Sequence, residues 1–290
     1  MKLGGCGIGS GAVADAEGVA EVARAAEDLG YESVWVGEHP VLIDPQVPPS
    51  PLDPTSEMLD PVPTLAYVAA RTERIRLGTG IVILPLRNPL ILAKQLASLD
   101  VLSRGRLIVG IGVGYVPGEY EAIDVPFHTR GERADEYIEA MRSLWNDEHP
   151  NYDGATVGFS GVQSYPRPVQ SGGPPIHGSG MARAARRRCV ASAQGYYGFF
   201  LDLERTADAV AELRELAKEV DRPAWLGELE ITITPPHPVD AATVDAYAEL
   251  GVHRLALTRD FADLAGAPDA SRRDGLLAEI ERMAKELRLG

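Results

Sequence analysis

Residues 74–115 read RIRLGTGIVILPLRNPLILAKQLASLDVLSRGRLIVGIGVGY, and this stretch decides the fold. It predicts an apolar strand over 74–84 with a glycine-bearing bend, a helix over 89–103, and a second apolar strand over 106–113 that runs into alternating glycines. The stretch is therefore one β-α-β unit in which both strands lack side chains near their carboxyl ends. Bare backbone at the carboxyl ends of parallel strands predicts that something large and flat lies against it.

The same alternation of strand and helix patterns continues along the whole chain. The predicted strands cover 2–8, 32–37, 74–84, 106–113, 174–176, 196–201, 224–234 and 253–258. The predicted helices cover 14–29, 62–72, 89–103, 130–147, 181–193, 203–220, 240–250 and 272–288. Eight such pairs predict an α/β fold, a (β/α)8 TIM barrel with insertion segments, as a single domain over 1–290. The insertions are a proline-rich loop over 40–61 and an irregular or hairpin segment over 150–171.

A doubly wound sheet is the alternative architecture. It would use fewer units and would carry one glycine fingerprint after its first strand. Glycines here follow or interrupt the first, third, fourth and fifth predicted strands, which is more typical of a barrel mouth.

Composition excludes several classes of function. The chain has 290 residues and a formal net charge of −14, which disfavours binding to nucleic acid or to an anionic membrane. Its two cysteines, Cys6 and Cys189, form no disulfide framework and have no metal-ligand spacing, so no metal site is predicted. There is no signal-peptide pattern and no run of roughly 18 apolar residues, so we expect a cytoplasmic protein.

In a barrel, the candidate functional residues follow the carboxyl ends of the strands. His39, next to Glu38 after the second strand, could donate a proton or bind an anion at the mouth. The Thr79-Gly80-Ile81 segment interrupts the third strand, which indicates a bulge or a close backbone approach. Alternate glycines at 110, 112 and 114 leave one face of the fourth strand bare, either for a flat ring or for a tightly packed neighbour.

A phosphate site is predicted where the fifth strand leads into a helix. Gly178, Ser179 and Gly180 precede that helix, whose free amides would bind an anion. The alternative is a plain helix start with Ser179 as its N-cap. Other polar residues are expected to be structural or to lack metal spacing: Lys94, Gln95, Asp100, His128, His149, His237 and His253.

Several motifs together resemble the luciferase-like monooxygenase superfamily, and more narrowly its coenzyme F420-dependent oxidoreductases. The motifs are LGTGI at 77–81, LPLRNP at 84–89, AKQLASLDVLSRGR at 93–106, VGIGVGY at 109–115, VWVGEH at 34–39, RGERADE at 130–136 and QGYYGF at 194–199. The resemblance covers most of residues 1–260. It implies a (β/α)8 barrel with an insertion, usually a homodimer, with a deazaflavin as cofactor.

The resemblance also implies site residues. It places the cofactor ring against the bend in the third strand, with a non-proline cis peptide at Gly80–Ile81 and His39 near the ring edge. The cofactor-binding set would be His39, Thr79, Gly80, Ile81, Gly112, Gly114, Gly178, Ser179 and Gly180. His177 stands where the family often has an apolar or aromatic residue. Tyr115 stands where F420-dependent sugar-phosphate dehydrogenases carry a glutamate, so a glucose-6-phosphate-type reaction is not expected.

The sequence therefore predicts an F420-dependent oxidoreductase that transfers a hydride between the deazaflavin and a small organic substrate. His39 would supply or stabilise a proton, and Tyr115 would lie near the substrate. Three alternatives remain: an FMN-dependent monooxygenase, a non-catalytic flavin-binding or deazaflavin-binding protein, and a non-redox barrel enzyme. The last would need a carboxylate at a strand end, for which the candidates are Glu38, Glu228 and Glu230.

Overall fold

The computed structural model of the chain describes residues 1–258 and 265–287. Its strands are β1 (Lys2–Cys6), β2 (Ser33–Val36), β3 (Arg76–Thr79), β4 (Val82–Ile83), β5 (Leu107–Gly112), β6 (Tyr152–Asp153), β7 (Gly158–Phe159), β8 (Ile176–Ser179), β9 (Gly195–Phe199), β10 (Glu230–Thr234) and β11 (Arg254–Leu257). Its helices are α1 (Ala16–Asp28), α2 (Pro61–Ala69), α3 (Pro89–Leu102), α4 (Pro117–Ala122), α5 (Arg130–Asn146), α6 (Arg183–Ser192), α7 (Leu203–Glu219), α8 (Ala241–Glu249) and α9 (Ala270–Glu286).

Eight parallel strands close into a barrel, which confirms the predicted TIM architecture. The strands follow one another in the order β1, β2, β3, β5, β8, β9, β10 and β11, and β11 pairs with β1. The short strand β4 continues the line of β3 and also pairs with β5. The remaining two strands, β6 and β7, form an antiparallel pair within the predicted 150–171 excursion. All eight barrel strands present their carboxyl ends at one mouth.

The longer helices cover the barrel because they bury apolar side chains against it. On α1 that face is the buried set Val19, Val22, Ala23 and Ala26. The helix begins where the Asp15 side chain accepts a hydrogen bond from the Gly18 amide. Where α1 and α9 meet the barrel wall, they leave a small, mostly apolar cavity of about 30 Å³.

Polar side chains close the barrel floor, at the amino ends of the strands. Arg254 is fully buried there and forms a two-pronged ion pair with Glu32, with nitrogen-to-oxygen distances of 2.7 and 2.8 Å. Glu230 accepts from Lys2 at 2.7 Å and lies 3.0 Å from the Arg254 guanidinium. Burial disfavours the Glu230 carboxylate, but Arg254 and Lys2 outweigh that effect and lower its pKa to about 2.

Several predicted boundaries were wrong. The fifth barrel strand, predicted over 174–176, is β8 and runs from Ile176 through Ser179, because the barrel interior accepts the buried ring of His177. Most of the predicted 224–234 strand is a 3-10 turn and a loop, and β10 begins only at Glu230. The short helix α4 was not predicted at all. The last residue of the predicted 272–288 helix, and parts of the predicted 1–290 domain, lie outside the described residues.

Candidate active site

The third barrel strand carries the predicted bulge at the mouth. Gly78 of β3 pairs with Ile108, and Val82 of β4 pairs with Ile111. The chain thus advances four residues from Gly78 to Val82 while β5 advances only three. The extra residue falls in the Gly80–Ile81 segment, whose peptide bond is cis, as the resemblance implied. The Gly80 amide donates to the Val36 carbonyl at 2.7 Å. Both bulge residues are half-buried, so their backbone forms part of the accessible surface of the mouth.

The bare face of β5 is filled by this bulged strand. A Cβ atom on Gly110 would lie 1.9 Å from the Thr79 carbonyl oxygen, and one on Gly112 would lie 2.8 Å from the Ile81 side chain. The Thr79 hydroxyl is itself buried and donates to the Gly110 carbonyl at 2.6 Å. Of the two explanations for these glycines, the structure supports a tightly packed neighbour. Cofactor contacts at Thr79, Gly112 and Gly114 stay predictions.

Glu38 is buried and its carboxylate is fully engaged. It accepts from the Ile83 amide at 2.5 Å and from the Arg87 Nε at 2.7 Å. Burial raises its pKa, although the adjacent Arg87 opposes that shift. Glu38 therefore ties the end of β2 to the segment after the bulge.

Glu228 and Glu230, the other two candidate carboxylates of a non-redox enzyme, lie at the opposite end of the barrel from the mouth. Glu228 precedes β10 and Glu230 is its first residue, so both are at the amino end of that strand. Glu230 is also engaged in the ion pairs of the barrel floor. Of the three candidate carboxylates, Glu38 therefore lies at the mouth, whereas Glu228 and Glu230 do not.

His39 is paired with a buried carboxylate that sequence reasoning did not assign. Its Nδ1 lies 2.8 Å from the Glu119 Oε1. The Glu119 side chain is 1% exposed, and its other oxygen, Oε2, has no hydrogen-bond partner among the described residues. The Tyr115 ring stands edge-on to the imidazole with centroids 6.2 Å apart. The two residues predicted as catalytic are thus neighbours.

The short helix α4 carries Glu119 and positions its side chain next to His39. Pro117 begins this helix, and the buried Tyr120 hydroxyl donates to the carbonyl of Val113, which directly follows β5. A Cβ on Gly118 would lie 2.7 Å from the Ile43 side chain of the proline-rich loop, so the loop packs against α4. The only sequence signal for Glu119 was its position a turn after Tyr115.

Neutral groups lie beneath the bulge. The Tyr197 hydroxyl is 2.8 Å from the Thr234 hydroxyl and 3.5 Å from the Cys6 sulfur. The Tyr197 ring stacks on Trp35 with centroids 5.1 Å apart. Burial raises the pKa of the Cys6 thiol and, more strongly, that of Tyr197. The Gly80 peptide therefore rests on uncharged groups; the motif at 194–199 contained Tyr197 but gave it no role.

The predicted phosphate segment lies on β8 and just beyond it, before α6. The helix begins at Arg183 after Ala182, whose side chain makes no capping hydrogen bond, so Ser179 is not the N-cap. A small cavity of about 10 Å³ opens here and is lined by Gly112, Gly178, Ser179 and Arg188, among others. Phosphate binding by Gly178, Ser179 and Gly180 stays a prediction.

The arginines of α6 are mostly engaged by carboxylates. Arg183 and Arg186 pair with Glu212, and Arg188 pairs with Asp135. A Cβ on Gly178 would lie 2.5 Å from the Cys189 sulfur, so this glycine also permits close packing of α6 on β8. These ion pairs and this close packing fix α6 against β8, α5 and α7.

His177 lies inside the barrel below this segment. It is 1% exposed, and its Nε2 is 3.6 Å from the Glu230 Oε2. Burial, reinforced by the charge of Arg254, lowers the pKa of His177 to about 3. The imidazole is therefore neutral at physiological pH and is not the acid of the mouth.

The described residues contain neither a metal-binding cluster nor a membrane-spanning helix. No group of three or more His, Cys, Asp or Glu side chains in 1–258 and 265–287 is placed to hold a metal ion. Within the same ranges, no helix has the length and apolar character needed to cross a membrane.

Comparison with known proteins identifies the family. The family model for luciferase-like monooxygenases matches residues 4–288, and the chain belongs to that family. An uncharacterized protein of Mycobacterium tuberculosis (strain ATCC 25618 / H37Rv) is 33% identical over 276 residues, covering 92% of this chain and 93% of that protein.

Two characterized relatives match over about half of the chain. The F420-dependent glucose-6-phosphate dehydrogenase of Kineococcus radiotolerans (strain ATCC BAA-149 / DSM 14245 / SRS30216) is 32% identical over 160 residues, covering 52% of this chain and 44% of that enzyme. The oxygenase component of the flavin-dependent trigonelline monooxygenase of Acinetobacter baylyi (strain ATCC 33305 / BD413 / ADP1) is 32% identical over 158 residues, covering 54% and 41%. The family thus includes both F420-dependent and flavin-dependent enzymes.

Proposed function

We propose that this protein is an F420-dependent oxidoreductase that transfers a hydride between the deazaflavin and a small organic substrate. The observation that carries the proposal is the His39–Glu119 pair, 2.8 Å apart, which follows β2 at the same mouth as the bulge. Hydride transfer to or from a carbon–oxygen bond requires a group that gives or takes a proton. His39 is the titratable side chain best placed for that task.

The residues present fit such a cofactor. The half-buried Gly80–Ile81 segment lies at the mouth, where a flat ring could contact it. The amides at the start of α6, which no side chain caps and which follow Gly178 and Ser179, would be the donors to a phosphate. When bound, the deazaflavin would supply or accept the hydride.

The chain's own residues would then orient the substrate and handle the proton. His39 would give a proton to the substrate oxygen during reduction, or take it during oxidation. Burial and the nearby Glu119 raise the pKa of Tyr115, so its hydroxyl stays neutral and can hydrogen-bond to a substrate. Tyr115 stands where F420-dependent sugar-phosphate dehydrogenases carry a glutamate, so we do not assign a sugar phosphate as the substrate.

The direct test is cofactor binding followed by turnover. The purified protein is titrated with F420 and, separately, with FMN, and binding is followed by fluorescence. We expect binding of F420. Tight binding of FMN with no binding of F420 would reject the proposal.

A substitution at His39 tests the chemical role. His39→Gln should leave F420 binding within about threefold but lower the hydride-transfer rate by roughly 10²–10⁴-fold, the usual contribution of a general acid or base. His128→Gln, at an exposed histidine, is the matched control and should not change the rate. Binding of F420 without turnover in a broad screen, and with no effect of His39→Gln on the redox kinetics of bound cofactor, would indicate a binding protein instead.

The second candidate is an FMN-dependent monooxygenase on the same barrel. The partial similarity to the trigonelline monooxygenase component favours it. Reduced FMN reacts with oxygen, whereas a deazaflavin reacts poorly with it. Oxygenation of an organic substrate by the protein with reduced FMN and oxygen, and not by reduced FMN and oxygen alone, would therefore support this candidate.

A further inference from the structure

We propose that Glu119 is the positioning residue for His39, and that it fixes the imidazole tautomer with the proton on Nδ1. Nε2 is then the ring nitrogen left to exchange a proton with a substrate. The functional meaning of this inference rests on the proposed role of His39, but the hydrogen bond itself can be tested without cofactor or substrate.

The first step is the identity of the donor in the contact. A carboxylate oxygen only accepts hydrogen bonds, so with Glu119 as the acceptor the 2.8 Å contact between Oε1 and Nδ1 places the proton on Nδ1. No residue of the described ranges pairs with the other ring nitrogen of His39. The contact with Glu119 thus sets the tautomer of the imidazole, and Nε2 remains free to bind a substrate.

The second step is the burial of the carboxylate. Glu119 is 1% exposed, and its Oε2 is buried without a partner in the part of the chain that the structure describes. A buried carboxylate with few partners is costly, so its single strong hydrogen bond is not readily exchanged for water. Glu119 therefore holds the imidazole more firmly than a solvated glutamate would.

The third step is the rigidity of the support. Helix α4 is anchored to the end of β5 by the hydrogen bond from Tyr120 to the Val113 carbonyl. The helix is packed on its other side by Ile43, which lies against Gly118. The Tyr115 ring limits the rotation of the imidazole by its edge-on contact. The carboxylate thus reaches His39 from an element fixed at two points.

The experiment reads the tautomer directly. Protein labelled with ¹⁵N-histidine is examined by NMR without cofactor at neutral pH, and the signals of His39 are assigned by their loss in His39→Gln. We expect His39 to show the Nδ1–H tautomer, with a slowly exchanging Nδ1 proton. In Glu119→Met, which keeps the side-chain length but removes the acceptor, we expect the Nε2–H tautomer to predominate and the slow proton to be lost.

The control is Glu121→Gln, at an exposed glutamate on the same helix, which should leave the His39 signals unchanged. An Nε2–H or averaged tautomer in the unmodified protein would overturn the proposal, as would an unchanged tautomer in folded Glu119→Met. If Glu119→Met does not fold, the spectrum of the unmodified protein still decides the question.

A kinetic readout separates positioning from general structural damage. With F420 and a substrate found by screening, Glu119→Met should lower kcat by about 10- to 100-fold and leave KM within about twofold. Equal loss in Glu121→Gln would contradict the proposal. If His39 shows the Nδ1–H tautomer but the protein binds no F420, only the proposed function is contradicted. If the protein turns over substrate with F420 but the tautomer of His39 is averaged, only this inference is contradicted.

Discussion

At the scale of single residues, His177 has the clearest measurable consequence. The folded protein keeps this imidazole neutral because it lies inside the barrel near Arg254, and its pKa is lowered to about 3 from an ordinary value of 6.5. The unfolded chain binds a proton at pH values where the folded chain does not. The contribution of His177 to stability is therefore complete above pH 6.5 and is lost as the pH falls toward 3.

The prediction is that His177 accounts for about 2 kcal/mol of the stability lost between pH 7 and pH 5. His177→Gln should remove this part of the pH dependence. The free energy of unfolding is measured by urea denaturation at both pH values. His237→Gln, at an exposed histidine, is the control. An identical loss of stability in His177→Gln and the unmodified protein would contradict the lowered pKa.

Sequence reasoning found some of these residues and missed others for a physical reason. His39 was predicted because it directly follows a strand, and position along a strand is visible in a sequence. Glu119 was not, because its meeting with His39 depends on a six-residue helix with no apolar period. The lowered pKa of His177 depends on burial among side chains from other strands, which no local pattern displays.

At the scale of elements, the bulged third strand and β5 form one unit. The missing side chain of Gly110 leaves room for the Thr79 carbonyl, and Thr79 returns a hydrogen bond to the Gly110 carbonyl. The alternation of glycines showed that one face of β5 is bare, but it could not show what fills that face. The bulge itself was predictable because glycines interrupt an otherwise apolar strand.

The prediction for this unit compares two glycines in the same barrel. Gly110→Ala places a Cβ 1.9 Å from a backbone oxygen, so the backbone must move, at a cost of about 3 kcal/mol or more. Gly5→Ala, on β1, meets no atom within 4 Å and should change the unfolding free energy by less than about 1 kcal/mol. Chemical denaturation of both variants tests this difference. Equal effects would mean that the contact with Thr79 is not tight.

The alternation of elements was largely predictable, and the failures share a cause. Helices α1, α3 and α5 were found because apolar residues recur at helical spacing over many turns. Strand β8 was placed too early because His177 and Ser179 are polar, whereas the inside of a barrel accepts polar side chains.

At the scale of the whole molecule, an apolar patch on α3 and the 150–171 excursion has no cover in the described chain. Ile91 and Leu102 are 61% and 66% exposed, and Tyr165 and Val169 are 65% and 57% exposed. The excursion is fixed to α3 because the Asp100 carboxylate accepts from the Val169 amide at 2.8 Å. Asp100 is thus structural, as expected. Exposed apolar patches of this kind mark interaction surfaces.

We propose that a second copy of the chain covers this patch in a homodimer. Light scattering after size exclusion should give twice the 31.1 kDa mass of one chain. The double variant Ile91→Lys, Leu102→Lys should give the mass of one chain, because it buries two charges in the contact. Trp225→Lys, at an exposed ring before β10, should remain a dimer. A monomeric unmodified protein, or a dimeric double variant, would contradict the proposal.

Under the proposed function, the contact between Ile43 and Gly118 has a consequence for engineering substrate selectivity. The loop that contains Ile43 packs on the same short helix that holds Glu119 against His39. We therefore expect that changes in this loop disturb the His39–Glu119 pair. We expect a library that randomises the loop alone to widen the range of substrates but to lower the turnover rate. A library that varies residues 40–60 and 117–122 together would allow both properties to be improved.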